Sequence, residues 1–247
     1  MFPVISIGSA VLPTYPFLVI IAFWLGLWLS AREARQIEFD DDHVYNAGLF
    51  GLLGGLLSAR LWYVVENWRI YADDITEAFA LNASALAVVE GAATGIIIAL
   101  IYLMRHRLSI ATFADLIAPG LALATAVAGL GAFLGGVGPG LPSGVPWAVP
   151  VLNAARHPVQ LYNALGSLLI LGLLLRRRDR WPWPTFAFWL FITLYSGLRL
   201  FTERFRVATP DMLTASGFRL AQLGTLLTLV VALAIIARGG IGVKVEG

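Results

Sequence analysis

Runs of about 20 predominantly apolar residues recur along this chain, and no other feature restricts its fold as tightly. A run of that length crosses the hydrocarbon core of a bilayer as a helix, at about 1.5 Å per residue. A helix is the only form in which a single run satisfies its own backbone hydrogen bonds in lipid. Seven runs qualify: 14–31, 44–65, 84–104, 112–136, 158–175, 184–201 and 217–237. Composition agrees, because 59% of the residues are hydrophobic and only 13% charged. A soluble domain of this size covers itself with about 25% charged residues. The expected architecture is therefore all-α: a polytopic membrane protein, one bundle of about seven transmembrane helices forming a single domain over 1–247.

Arginine placement sets the expected orientation. With the N-terminus outside, the inner segments hold Arg32, Arg35, Arg105, Arg107, Arg176, Arg177, Arg178, Arg180, Arg238 and Lys244. The outer side holds only Arg69, Arg156, Arg204 and Arg206, an asymmetry of the positive-inside kind. The C-terminus is then inside. Two outer loops follow, near 66–83 and 137–157. The first carries Glu66, Asp73, Asp74 and Glu77; the second is too rich in Pro and Gly for a regular helix. The first apolar run lacks a basic leader and reads as a retained span.

Several function classes drop out. A net charge of +2 gives no electrostatic footprint for nucleic acid. The chain has no cysteine, which removes disulfides, thiolate zinc sites and a protein thiol nucleophile. His43, His106 and His157 lie far apart in sequence with no ligand-like spacing, so neither metal nor other cofactor is expected. The glycine pairs Gly51/Gly55, Gly91/Gly95 and Gly131/Gly135 have the spacing of close helix crossings in membranes and read as packing.

Ionisable side chains within spans are costly and so mark candidate sites. Arg60 falls roughly 7 Å below the outer end of the second run, from five residues at the helical rise. Glu90 lies near the outer end of the third run, Arg199 near that of the sixth, and Arg219 at the start of the seventh. Tyr15 and His157 open the first and fifth runs on the same side. Asp115 lies near the inner face and reads as a solvated acid at a helix start. Tyr195, Arg199, Glu203 and Arg206 share one helical face. Guanidinium groups grip phosphate as a planar fork and stay charged, so this stripe suits the head group of an anionic outer-leaflet phospholipid. The plainer reading of Arg199 and Glu203 is an i,i+4 ion pair that snorkels to the interface.

Five segments in order resemble bacterial prolipoprotein diacylglyceryl transferase. SIGSAVLPTYPFLVIIAFWLGLWLS (6–30) is similar to the opening of that family and contains its tyrosine, Tyr15. LLGGLLSARLWYVVEN (52–67) carries Arg60, and ATFADLIAPGLALATAVAGLGAFLGG (111–136) the ADLIAPGLAL phrase. RHPVQLYNAL (156–165) is the most distinctive and includes His157 and Gln160. LYSGLRLFTERFR (194–206) supplies Tyr195, Arg199, Glu203 and Arg206. The resemblance implies transfer of a diacylglyceryl group from phosphatidylglycerol, or another anionic phospholipid, to the cysteine thiol of a lipobox-containing lipoprotein precursor. It also implies a multi-pass protein of the bacterial inner (plasma) membrane. Tyr15, Arg60, His157, Gln160, Arg199, Glu203 and Arg206 would bind substrate, and Glu90 and Tyr195 would serve catalysis.

The sequence departs from that family at identifiable positions. Glu90 stands where the family has a histidine, and Gly129 and Ala132 where its signature has arginine and asparagine. Val137 and Asn163 each replace an acidic residue. A carboxylate can act as a general base, so Glu90 is the candidate for the histidine's work. Two alternatives stand beside the transferase: a catalytically inactive relative that binds phospholipid or lipoprotein precursor, and a small transporter, against which the lack of internal repeats argues.

Overall fold

The computed structural model describes residues 2–7, 10–72, 76, 85–151, 153–177, 181–207 and 220–242. Its helices are α1 (Thr14–Gln36), α2 (Asp42–Glu66), α3 (Trp68–Tyr71), α4 (Val88–Arg105), α5 (Ile110–Gly135), α6 (Val159–Arg177), α7 (Phe186–Glu203) and α8 (Leu220–Gly242). Two small antiparallel hairpins join them. β1 (Val4–Ile7) pairs with β2 (Ala10–Pro13), and β3 (Val149–Val151) with β4 (Ala154–Arg156). The chain is an all-α polytopic membrane protein. Among the described residues six helices are long and apolar enough to span a bilayer, namely α1, α2, α4, α5, α6 and α8. The seventh expected span is α7, 18 residues long, whose apolar character is diluted by Tyr195, Arg199 and Glu203. Arg219, Asp73, Asp74, Glu77, Arg178, Arg180, Lys244 and the first residues of the run 217–237 lie outside the described residues.

The chain divides into two compact units. One comprises residues 31–113, and the other residues 1–30 together with 114–247.

In the 31–113 unit, α2 and α4 meet through glycines. A Cβ on Gly51 would lie 3.0 Å from the Gly95 carbonyl oxygen, and one on Gly55 3.0 Å from that of Gly91. Backbone therefore packs on backbone, and two of the three glycine pairs read from the sequence face each other. The Ala87 N–H also donates to the Ala59 carbonyl (3.0 Å), which ties the start of α4 to α2 one residue before Arg60. At the opposite end of this helix pair His43 Nδ1 lies 2.8 Å from the Tyr102 hydroxyl. The rings of His43 and His106 come within 5.1 Å, so residues far apart in sequence are neighbours here.

In the other unit α5, α6 and α7 share a core of Ala118, Ala122, Ile170, Leu174, Ala187 and Phe191. The small alanines of α5 admit the branched side chains of α6 and the Phe191 ring. α6 also presents a buried polar stripe at i, i+3 and i+7: Gln160, Asn163 and Ser167. Each member has a partner on another segment. Gln160 Nε2 donates to the Val137 and Gly138 carbonyls (2.8 and 3.1 Å). Thr202 Oγ1 donates to Asn163 Oδ1 (3.0 Å), and Thr125 Oγ1 to Ser167 Oγ (3.2 Å). Such bonds fix helix register where apolar packing alone gives little preference.

Asp115 differs from its expected role. It is not a solvated helix-start acid: its carboxylate accepts from the backbone N–H groups of Thr185 (2.6 Å) and Phe188 (3.0 Å). Those are orphan donors at the start of α7, where Thr185 has a left-handed backbone and makes no side-chain cap itself. Asp115 on α5 thus supplies the cap from a neighbouring helix, with charge of the sign a helix N-terminus favours.

The segment 137–157, expected on the outer side, is irregular over most of its described length, as its Pro and Gly content predicts, but it is also paired. β4 is flanked by an isolated bridge between Pro142 and Arg156, and Gly140 bridges antiparallel to Arg206. The Leu141 N–H donates to the Phe205 carbonyl (2.7 Å), and the His157 N–H to that of Leu141 (3.1 Å). These pairings join the loop to the chain leaving α7.

Candidate phospholipid site

The last turn of α7 carries the densest charge among the described residues of its unit. Arg199 Nη2 donates to Glu203 Oε1 at 2.5 Å, an i,i+4 pair, and Arg206 Nε faces the same oxygen at 3.4 Å. The Glu203 side chain is only 6% exposed, so one buried carboxylate holds two guanidinium groups. At 3.4 Å the contact with Arg206 is an ion pair, and the Nε–H has no hydrogen-bond partner among the described residues. Burial holds the Arg206 guanidinium below its ordinary range, while the Glu203 carboxylate pulls it back up. A guanidinium remains charged at neutral pH under such pressure.

Two tyrosines complete this end of the unit. Tyr195 lies one turn before Arg199, and both it and Tyr15 are within electrostatic reach of Arg206. Tyr15 is positioned by Gly135: a Cβ there would come 2.9 Å from the Tyr15 Cβ, so the tyrosine seats against the bare end of α5. Gly138 serves Arg206 in the same way. Its backbone lies in the left-handed region that favours glycine, with φ at +63°. A side chain there would meet the Arg206 Nη1 at 2.7 Å.

His157 sits beside this cluster. Its ring packs 4.8 Å from that of Phe205, the residue before Arg206, and its Nδ1 lies 3.1 Å from the Tyr162 hydroxyl. Gln160 is reached differently from the other expected ligands. Its side-chain nitrogen is committed to the carbonyls of residues 137 and 138, so it holds the loop that approaches Arg206. Of the residues expected at the site, Tyr15, His157, Gln160, Tyr195, Arg199, Glu203 and Arg206 all belong to this unit.

Arg60 and Glu90 belong to the 31–113 unit, on the ends of α2 and α4 joined by the Ala87–Ala59 bond. Arg60 Nη1 donates to the Ala85 carbonyl (3.0 Å), and its guanidinium lies 5.4 Å from the centre of the Tyr71 ring. Glu90 is half-buried in the first turn of α4.

The departures from the resembled family also have a physical setting. A Cβ on Gly129 would lie 3.1 Å from both the Ala164 nitrogen and the Gln160 carbonyl oxygen, so α6 backbone lies where a side chain would start. Asn163 accepts from Thr202, the neighbour of Glu203, and donates through Nδ2 to the Val159 carbonyl (3.1 Å). Asp115, Thr202, Trp147 and Tyr162 are partners that sequence reasoning misses. Only the i, i+3, i+7 spacing on α6 gives a signal for any of these contacts.

A family profile described as prolipoprotein diacylglyceryl transferase matches residues 3–238. Similar proteins named phosphatidylglycerol–prolipoprotein diacylglyceryl transferase occur in several bacteria. That of Clostridioides difficile is 30% identical over 215 residues, covering 86% of this chain and 85% of the relative. That of Enterococcus faecalis is 32% identical over 237 residues, covering 90% and 84%. That of Thermosynechococcus vestitus is 30% identical over 237 residues, covering 91% and 87%.

Proposed function

The chain belongs to the prolipoprotein diacylglyceryl transferase family, and from that premise we propose that it transfers the diacylglyceryl group of phosphatidylglycerol to the cysteine thiol of a lipoprotein precursor. The observation that carries this reading is the Arg199–Glu203–Arg206 cluster with its two tyrosines. The reaction displaces phosphate from carbon. The thiolate sulfur bonds to the terminal glycerol carbon, the carbon–oxygen bond to phosphate breaks, and the electron pair leaves on the phosphate oxygen as glycerol phosphate. Preorganised cations stabilise the charge gathering on that oxygen. Arg199 and Arg206 are held by Glu203 before any substrate arrives, so little reorganisation is needed when phosphate is bound.

Roles are assigned accordingly. Arg199 and Arg206 bind the phosphate, Tyr15 and Tyr195 orient head-group oxygens, His157 and Gln160 shape the approach, and Arg60 is a further substrate-binding residue. Tyr195 also serves as a proton donor to the leaving group. Glu90 takes the thiol proton, in the position where the family has a histidine. The protein acts in the bacterial inner membrane with its site toward the outer leaflet, its chain forming one bundle of seven spans. The acceptor is a lipobox segment presented at that surface, and other anionic phospholipids with the same phosphodiester are alternative donors.

A second reading has one observation in its favour. The family signature's arginine position is Gly129, where α6 backbone atoms would crowd a Cβ at 3.1 Å. A relative that binds phospholipid or precursor without transfer would have such a substitution. Complementation of a strain depleted of its own transferase separates the two, supported by transfer to a lipobox peptide in phosphatidylglycerol vesicles. Growth and lipidated peptide are expected. Retention of lipid with neither growth nor transfer would replace the enzyme by the binder.

A further inference from the structure

Trp147, Tyr162 and His157 form a chain of hydrogen bonds whose first member can act only as a donor. An indole nitrogen can only donate. Trp147 Nε1 lies 2.8 Å from the Tyr162 hydroxyl oxygen, so that oxygen accepts there. A phenol has one proton of its own, and the second partner of this one is His157 Nδ1 at 3.1 Å. With the oxygen already accepting from the indole, the hydroxyl proton is best placed on Nδ1. In the neutral imidazole one nitrogen accepts and the other carries the proton. Acceptance at Nδ1 therefore puts the N–H on Nε2.

Packing holds the ring that this chain orients. His157, Tyr162 and Phe205 pack as a triangle of rings, His157 at 6.1 Å from Tyr162 and 4.8 Å from Phe205, with 6.3 Å between the other two. The His157 backbone N–H is tied to Leu141, and Leu141 in turn to Phe205. Trp147 is 61% exposed. Indole rings favour such a boundary, where the body is apolar and one end stays wet. Its place on the 137–157 loop and its bond to Tyr162 connect that exposed surface to a ring packed against Phe205, the residue before Arg206.

We propose that Trp147 and Tyr162 are positioning residues that lock neutral His157 as the Nε2–H tautomer, so that it offers a hydrogen-bond donor to a phosphate or ester oxygen of the bound phospholipid. The tautomer stands on the hydrogen-bond chain alone, whereas the oxygen it meets rests on the proposed transfer reaction.

The chain holds three histidines, so nitrogen-15 labelling of histidine in the full-length protein in phosphatidylglycerol nanodiscs gives a readable spectrum. His157→Gln serves only to assign the signal. The expected wild-type result is a neutral His157 with Nδ1 unprotonated and Nε2 protonated. Tyr162→Phe should convert it to a mixture of tautomers, and Trp147→Phe should do so partially, because Tyr162 can then also accept from the ring. A wild-type ring protonated on Nδ1 would overturn the proposal, as would a tautomer unmoved by Tyr162→Phe. In the transfer assay Tyr162→Phe should raise KM for phosphatidylglycerol roughly two- to tenfold, the loss of about one neutral hydrogen bond, with a smaller change in kcat. An unchanged KM would remove the donor role. A wild type that turns over no lipid, yet has the expected tautomer, would instead overturn the transfer reading, and phosphatidylglycerol retention would then read the donor role.

Discussion

Arg199 and Glu203 stand one turn apart on α7 and meet at 2.5 Å, and the carboxylate oxygen they share faces Arg206 at 3.4 Å. The pair is thus more than a snorkelling i,i+4 bridge, because a single buried acid organises two cations. Without Glu203 the guanidiniums would repel each other, and removing one partner of a buried ionic group typically costs about 3–5 kcal/mol. With it, both face one carboxylate oxygen.

Arg199→Ala should weaken the preference for anionic over zwitterionic phospholipid by roughly 1.5–3 kcal/mol, the worth of hydrogen bonds made by a charged group. Native mass spectrometry of wild type and variant in mixed lipid reads this directly. Equal retention of both lipid classes by both proteins would count against the phosphate site.

Glu90→Gln should abolish transfer to a lipobox peptide while leaving phospholipid retention unchanged. The substitution keeps the shape and a hydrogen bond but removes the proton acceptor. Full activity in the variant would take Glu90 out of the reaction and leave proton removal to another group.

Asp115→Ala should destabilise the protein by roughly 1–3 kcal/mol, the range for losing a helix cap with charged hydrogen bonds. Asp115→Asn should lose less, since its amide oxygen can still accept. Thermal unfolding in detergent measures both, and an unaltered midpoint for the alanine variant would show that the cap on α7 contributes nothing.

Gly129→Arg, the obvious attempt to restore the family signature, should fail alone. Its Cβ would lie 3.1 Å from backbone atoms of Ala164 and Gln160, so the α6 backbone must give by a few tenths of an ångström before the rest of the side chain is placed. Overpacking of this kind costs about 1–3 kcal/mol. It would also disturb the Gln160 bonds to residues 137 and 138. A lower unfolding midpoint without added transfer is expected. A gain in transfer at unchanged stability would contradict this packing.

The spans are legible in the sequence because hydrocarbon thickness leaves little choice. The runs 44–65 and 112–136 correspond to Asp42–Glu66 and Ile110–Gly135. α1 outruns its expected end at 31 because Arg32, Glu33 and Arg35 do not break the helix, and Glu33 is buried with its neighbours Ala31 and Ala34. α7 shows the converse limit: residues that make the site also make the helix less apolar. The facing of Gly51/Gly55 with Gly91/Gly95 can be anticipated from spacing, but not which pair meets which. The β3–β4 hairpin and the Gly140–Arg206 bridge are hidden, since spacing within one segment says nothing of a partner elsewhere in the chain. Asp115 reads wrongly from sequence for the same reason. Its role is set by an α7 terminus 70 positions away.

The pairing of residues 139–142 with 205–207 acts as a mechanical linkage. Leu141 is bonded to Phe205 on one side and to His157 on the other, so a displacement of this strand pulls both ring-bearing segments together. A displacement of the 137–157 loop would be transmitted through backbone to the Arg206 segment, with no flexible side chain in between to absorb it. The Arg206 guanidinium that Glu203 holds is thereby braced by the loop as well, so a strain on either segment is shared by both.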